Sequence, residues 1–292
     1  MSDKKRIAVV VGGWHYPYHF YDKVSKLKLP KGWEADNFVV GHRDPNLEIV
    51  SKEKKDILNG FGNPNNWSSL ESLDYILYNK TINRNEIQKL GFNFSLESNK
   101  IGDFYFFNQW SEKNDWSSYD LFLFMHDDTL MLDDSMVVDV IEKKCKLYYY
   151  QNEVEENKDW LFLTACGDEM LCPRASFAFF DKKLIKELNG IFPMENVSLN
   201  REGLVDTPGT DLSGTADWNA VSRSFTTFMQ EKGWQEKMLR MSPYYRISKY
   251  CLEGERGFCH IVKVSIDSFI NGCNEYQEYL VKEINEHNKI SI

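Results

Sequence analysis

The stretch YDLFLFMHDD (residues 119–128) decides the fold. Residues 121–125 are five consecutive apolar positions, the mark of a strand buried on both faces of a sheet. Three polar residues, His126, Asp127 and Asp128, stand where that run stops. In open α/β sheets ligands bind at the carboxyl ends of the strands, so functional side chains are expected here whatever the activity. Two adjacent carboxylates repel each other, and a divalent cation removes that cost. The competing use is humble: acids at a strand end also begin turns and cap the next helix.

Working outward, residues 7–11 form a second continuous apolar run rich in β-branched residues, closed by Gly12-Gly13. A helical pattern over 18–27 ends at the turn around Pro30 and Gly32. A strand over 37–40 then runs into Gly41-His42-Arg43-Asp44-Pro45. Strand, helix, strand at this spacing is a βαβ unit of the nucleotide-binding kind. Further along, helices are predicted over 47–58 and 68–90, with a loop of turn formers at 59–66 between them. After the HDD triplet a helix is expected over 134–144, with Asp133 and Asp134 at its start. Strands follow over 147–150, 160–165 and 176–180, then a helix over 182–188. Residues 194–216 hold no clear element but include Gly203, Pro208, Gly209 and Gly214, the composition of a binding loop or lid. Asp217 is placed to cap a helix over 218–230 that stops at Lys232-Gly233. A mostly helical tail is expected over 263–287.

Composition narrows the function classes. The chain has 292 residues, 42% hydrophobic and 27% charged, the balance of a soluble globular protein. A net charge of −9 without a basic stretch argues against a nucleic-acid partner. An acidic protein that handles phosphates must neutralise them locally, with a metal or a few placed cations. The six cysteines show no CxxC pair and no zinc spacing, so reduced thiols in a cytoplasmic protein are expected. No run approaches the twenty apolar residues of a membrane span.

The pattern resembles the GT-A class of glycosyltransferases, in particular the inverting family-two-like enzymes. In that class a buried strand ends in an Asp-x-Asp motif that binds the metal and the nucleotide diphosphate. Asp128 matches the second Asp of the motif, while His126 stands in place of the first. Asp127, between them, is a candidate for ribose or metal. Gly12, Gly13, His42, Arg43 and Asp44 fall where such a fold meets the nucleotide. ASFAFFD (175–181) with its following helix, TADWNAVSR (215–223) and KGW (232–234) continue the likeness over roughly residues 5–245.

The resemblance implies a GT-A-type (Rossmann-like) α/β fold, with a mixed, mainly parallel sheet flanked by helices. Residues 1–250 would form the catalytic domain and 251–292 a C-terminal loop and helical extension. The implied activity is metal-dependent transfer of a sugar from a nucleotide-sugar donor to a glycan or other hydroxyl acceptor, with manganese or magnesium as cofactor. Asp217 at the helix start is the expected base, since inverting transfer needs a carboxylate to take the acceptor's proton; Asp211 is the reserve. His260 is a further candidate metal ligand and suits manganese better than magnesium. Arg256 in the same loop is a candidate partner for the diphosphate. His15 and His19 lie four apart, but Pro17 between them argues against a two-His metal site.

Two other readings compete. A nucleotidyltransferase or metal-dependent phosphohydrolase also uses clustered acids, but after the first strand the former usually carries cations and the latter an Asp nucleophile, whereas here that loop is GGWHYP (12–17). A carbohydrate- or partner-binding protein that keeps the fold without turnover is permitted by the aromatic content of 14% and favoured by His126 in place of an Asp.

Overall fold

The computed structural model describes residues 4–13, 16–42, 45, 82–97, 104–127, 129–131, 133–150, 152–155, 157–164, 177–194, 218–241 and 251–253. The two apolar runs, 7–11 and 121–125, are neighbours in the interior of a nine-stranded sheet. Strand β1 (Lys5–Gly13) pairs in parallel with β2 (Trp33–Gly41) on one side and with β4 (Leu121–His126) on the other. Strand β3 (Phe92–Leu96) extends the β2 side, again in parallel. Beyond β4 lie β9 (Phe177–Asp181), β8 (Phe162–Thr164), β10 (Met238–Arg240), β6 (Tyr148–Tyr149) and β7 (Asn152–Glu153). The order is β3-β2-β1-β4-β9-β8-β10-β6-β7. Strand β9 is antiparallel to both neighbours, so β3, β2, β1, β4, β8 and β10 all point the same way. The sheet is therefore mixed and mainly parallel, as expected. A second, two-stranded sheet joins β5 (Thr129–Met131) to β11 (Cys251–Glu253).

The pleat divides the core in two. Ile7, Val9, Val11, Leu121, Leu123 and Met125 face one way and pack under α1 (Tyr18–Ser25), α2 (Arg84–Lys89) and α4 (Met136–Ile141). Ala8, Val10, Phe122, Phe124, Ala178 and Phe180 face the other way, under α3 (Phe104–Ser111), α5 (Lys182–Glu187) and α6 (Trp218–Glu231). Two apolar faces on each central strand explain why these runs show no alternation. The aromatic residues concentrate on the second face, where Phe104, Phe107, Phe180, Phe192 and Phe225 touch ring to ring at 4.6 to 5.4 Å.

Several expected boundaries move, each for a local reason. The helix expected over 134–144 is only Met136–Ile141, because Lys143 takes φ 55° and turns the chain back, with Lys144 N donating to Asp139 O at 2.8 Å. The helix expected over 68–90 does not run through residues 82–83. Asn83 is extended and starts α2 with a reciprocal capping box to Glu86. The strand expected over 147–150 shrinks to Tyr148–Tyr149, since Tyr150 is left-handed at φ 55° and begins a hairpin to β7. Gly233, at φ +66°, ends α6 where the sequence placed its stop. The segments 47–58, 59–66 and 263–287 lie outside the described residues.

Candidate functional site

The strand order fixes where a ligand has room. From β1 the chain crosses over α1 to β2 and then to β3, moving away from β4. From β3 it returns over α3, on the opposite face, to β4. The strand order reverses between β1 and β4, and open α/β sheets place a ligand crevice outside the carboxyl ends of the strands at such a point. Gly12, Gly13, His126 and Asp127 all lie at that point, and His42 is one strand away.

On the α1 side the edge is closed by a polar knot. Asp127 is 1% exposed. Its Oδ2 accepts from Tyr16 N at 2.7 Å and from the Tyr21 hydroxyl at 3.2 Å. Its own N–H donates to Gly12 O, joining β4 to β1 beyond the ladder. Tyr16 has φ 53°, an uncommon conformation for a bulky residue, and it is held from three directions. Besides the bond to Asp127, its hydroxyl donates to Gly13 O at 3.2 Å and its carbonyl accepts from Ile82 N at 2.9 Å. Burial, and then the Asp127 charge, push the Tyr21 hydroxyl well above the ordinary tyrosine range.

On the α3 side the edge is aromatic. His42 is fully buried, shares a hydrogen bond of 2.8 Å between Nε2 and Gln109 Oε1, and meets the Phe106 ring edge-on at 3.7 Å. His126 packs against the same ring at 5.3 Å and against Phe124 at 5.5 Å. Phe106 thus lies between two imidazoles at the ends of β2 and β4. The glycines make this possible. A Cβ on Gly12 would stand 2.5 Å from Phe106 Cδ2, and one on Gly13 would stand 2.8 Å from the Tyr16 ring. Neither glycine is in the left-handed region, so close ring packing rather than a special turn demands them.

Of the expected site residues, Gly12, Gly13, His42, His126 and Asp127 are therefore brought together. Arg43, Asp44, Asp128, Asp211, Asp217, Arg256 and His260 lie outside the described residues, as does His15. Among the described residues no three of His, Cys, Asp and Glu are grouped to hold a metal. One observation does fit a polar ligand beside Asp128. Thr129 is fully buried, and its Oγ1 has no hydrogen-bond partner among the described residues. Sequence reasoning missed Phe106, Gln109 and Tyr21 as builders of this edge. The buried-aromatic pattern of 104–111 was the available signal for the first two. No helix among the described residues is long and apolar enough to cross a membrane.

No family model matches the chain, and no curated protein is similar to it. Among solved structures it is similar to residues 1–349 of S. aureus TarS, with 14% identity and a TM-score of 0.38, over 96% of this chain and 70% of that one. It is likewise similar to a longer S. aureus TarS structure, with 15% identity and a TM-score of 0.38, over 96% of this chain. This chain spans 42% of the length of that longer structure. Likeness at this level bears on neither activity nor ligand.

Proposed function

We propose that the chain is a metal-dependent glycosyltransferase of GT-A type, which binds a nucleotide sugar in the crevice at the carboxyl ends of β1 and β4. The observation that carries the reading is the strand order around β1, with His126 at the end of β4 where that order reverses. The pleat then separates the roles inside the triplet. Asp127 is engaged by Tyr16 and Tyr21, so the positions for a cation are Asp128 and His126. Manganese or magnesium held there would neutralise the diphosphate as it leaves. Thr129 Oγ1 is a neighbouring oxygen with lone pairs that no described donor takes up.

The C-terminal segment is consistent with the same place: strand β11 runs antiparallel to β5 with Glu253, its last residue, opposite Thr129. Arg256 follows three residues later and His260 seven, which suits them to a diphosphate and a cation respectively. Asp217, immediately before α6, is the proposed base that takes the proton of the acceptor hydroxyl, with Asp211 in reserve. Inversion at the sugar carbon follows from a single carboxylate acting this way.

The test is donor turnover. Incubating the protein with a panel of nucleotide sugars and manganese should give slow donor hydrolysis, abolished by Asp128→Ala. Absence of both binding and hydrolysis across the panel would sink the reading. If Asp217→Asn kept full transfer while Asp128→Ala lost it, the base assignment alone would fall. Donor binding without turnover would favour the second reading, a non-catalytic binder, for which the engaged carboxylate of Asp127 already speaks.

A further inference from the structure

We propose that Arg240 is the seat of a second ligand subsite, which takes a phosphate or carboxylate group of the second substrate on the same edge of the sheet. The subsite itself stands on Arg240 alone; giving its occupant to the second substrate rests on the proposed transfer reaction.

Register places the residue. Val10 pairs with Phe124, Phe124 with Ala178, Ala178 with Thr164, and Thr164 with Arg240. Arg240 is thus in one cross-strand row with Phe124, two residues before His126, and no charged side chain stands between them in that row. Strand β10 points the same way as β4, so its last residue, Arg240, lies toward the edge that carries the crevice. Met238 belongs to the α3 face and Leu239 to the α1 face, so by alternation Arg240 shares the face of Phe124 and His126. Three strand spacings separate β10 from β4, about 14 Å at the usual distance between strands. A diphosphate at the β1/β4 crevice does not span that distance. A donor sugar with an acceptor beyond it does.

The chemistry of Arg240 is that of a cation awaiting an anion. It is 7% exposed, and its described partner is one carbonyl: Tyr150 O accepts from Nε at 2.6 Å and from Nη2. No described carboxylate pairs with it, although the chain holds 44 acidic residues and Arg6 has found Asp36 at 2.5 Å. Burial lowers the pKa of the guanidinium, and no neighbouring carboxylate opposes that shift. The N–H groups of Nη1 are donated to no described residue. Tyr150 is held in the left-handed region at φ 55°, which turns its carbonyl onto the guanidinium and fixes the fork while one side stays available. A planar fork, fixed and desolvated, is what recognises a phosphate or a carboxylate with two parallel bonds.

The experiment uses the full chain, with inorganic phosphate and acetate as probes, titrated calorimetrically into the wild type and the Arg240→Gln, Arg240→Lys and Asp128→Asn variants. A nucleoside diphosphate with manganese is the parallel arm. Phosphate affinity should fall about ten- to a hundredfold in Arg240→Gln, the loss expected for a charge-assisted pair. It should fall less in Arg240→Lys and stay at the wild-type value in Asp128→Asn, while nucleoside diphosphate binding shows the reverse pattern. If Arg240→Gln does not fold, Arg240→Lys carries the comparison. In that case phenylglyoxal labelling of wild-type Arg240 should also be slowed by phosphate. Loss of phosphate binding in Asp128→Asn but not at Arg240 would overturn the subsite and assign the anion to the crevice. So would a wild type that binds neither probe, or Arg240 variants that melt lower with phosphate affinity unchanged, since Arg240 would then only clamp Tyr150. Phosphate binding that depends on Arg240, in a protein that binds no nucleoside diphosphate, would keep the subsite and sink the donor reading.

Discussion

His126 and Asp127 are consecutive residues at one strand end, yet the pleat sends them into opposite surroundings. On the α1 side, Asp127 is tied to Tyr16 and Tyr21 and seals β4 to β1. On the α3 side, His126 joins Phe106 and His42 in an aromatic row. The contrast teaches that an acidic motif is not uniform in purpose. One carboxylate of the pair, Asp127, builds the edge, and the proposed ligand roles fall to its neighbours.

The largest effect is therefore expected at Asp127. Replacing it with Ala strands the Tyr16 N–H and the Tyr21 hydroxyl in a buried place, at about 3 kcal/mol or more for two unsatisfied donors. Asp127→Asn keeps an acceptor oxygen and should lose less. Urea unfolding measures both, and an Asp127→Ala protein as stable as the wild type would break the distinction between the two sides. Next in size is Gly12→Ala. Its Cβ would meet Phe106 Cδ2 at 2.5 Å, and overpacking of that kind costs about 1–3 kcal/mol. Combining it with Phe106→Ala should give a strongly non-additive result, because both changes act on one contact. Additive losses would mean that Gly12 is required for something other than the ring.

How much of this was legible depends on which force shapes each part. The runs 7–11 and 121–125 announce central strands because burial on both faces needs unbroken apolar sequence, and both strands are where they were expected. Gly233 is equally plain, since a left-handed helix stop favours glycine. Lys143, Tyr150 and Asn189 take the same conformation without a glycine to mark it, so the elements before Lys143 and Tyr150 were drawn too long. Strand β3 and helix α3 went unread. FNFSL is too short for its alternation to stand out, and FYFFNQWS is apolar nearly all round, which hides the helical period. The candidate site was legible as a position, the end of β4, because open α/β sheets bind ligands at strand ends. The division of labour within HDD was not. It depends on Tyr16 and Tyr21, more than a hundred residues away in sequence, reaching Asp127 in space.

A moderate effect with a distinctive pH signature is expected for Tyr21→Phe. Losing one bond to a buried carboxylate costs about 1.5 kcal/mol. Burial and the Asp127 charge raise the Tyr21 pKa in the folded protein, whereas in the unfolded chain the hydroxyl ionises at its ordinary value near 10. The folded state then binds more protons above that value, so this contribution is complete below pH ~10 and falls as pH rises beyond it. Urea titrations between pH 8 and 11 should show wild-type stability falling more steeply than that of Tyr21→Phe. Equal slopes would remove the charge of Asp127 from the account of the α1 side.

The smallest change in stability belongs to His126→Ala, and it separates the two sides most cleanly. The partly buried imidazole packs on Phe106 and Phe124, contacts worth about 1 kcal/mol together. Its removal leaves the knot at Asp127 intact, because the two side chains lie on opposite faces of the sheet. Binding of a nucleoside diphosphate with manganese should nonetheless weaken by about tenfold, a free-energy loss similar in size to the packing loss but read out at the ligand. If His126→Ala instead cost as much stability as Asp127→Ala while leaving that binding unchanged, the α3 side would be the structural one, and the assignment of the two residues would have to be exchanged.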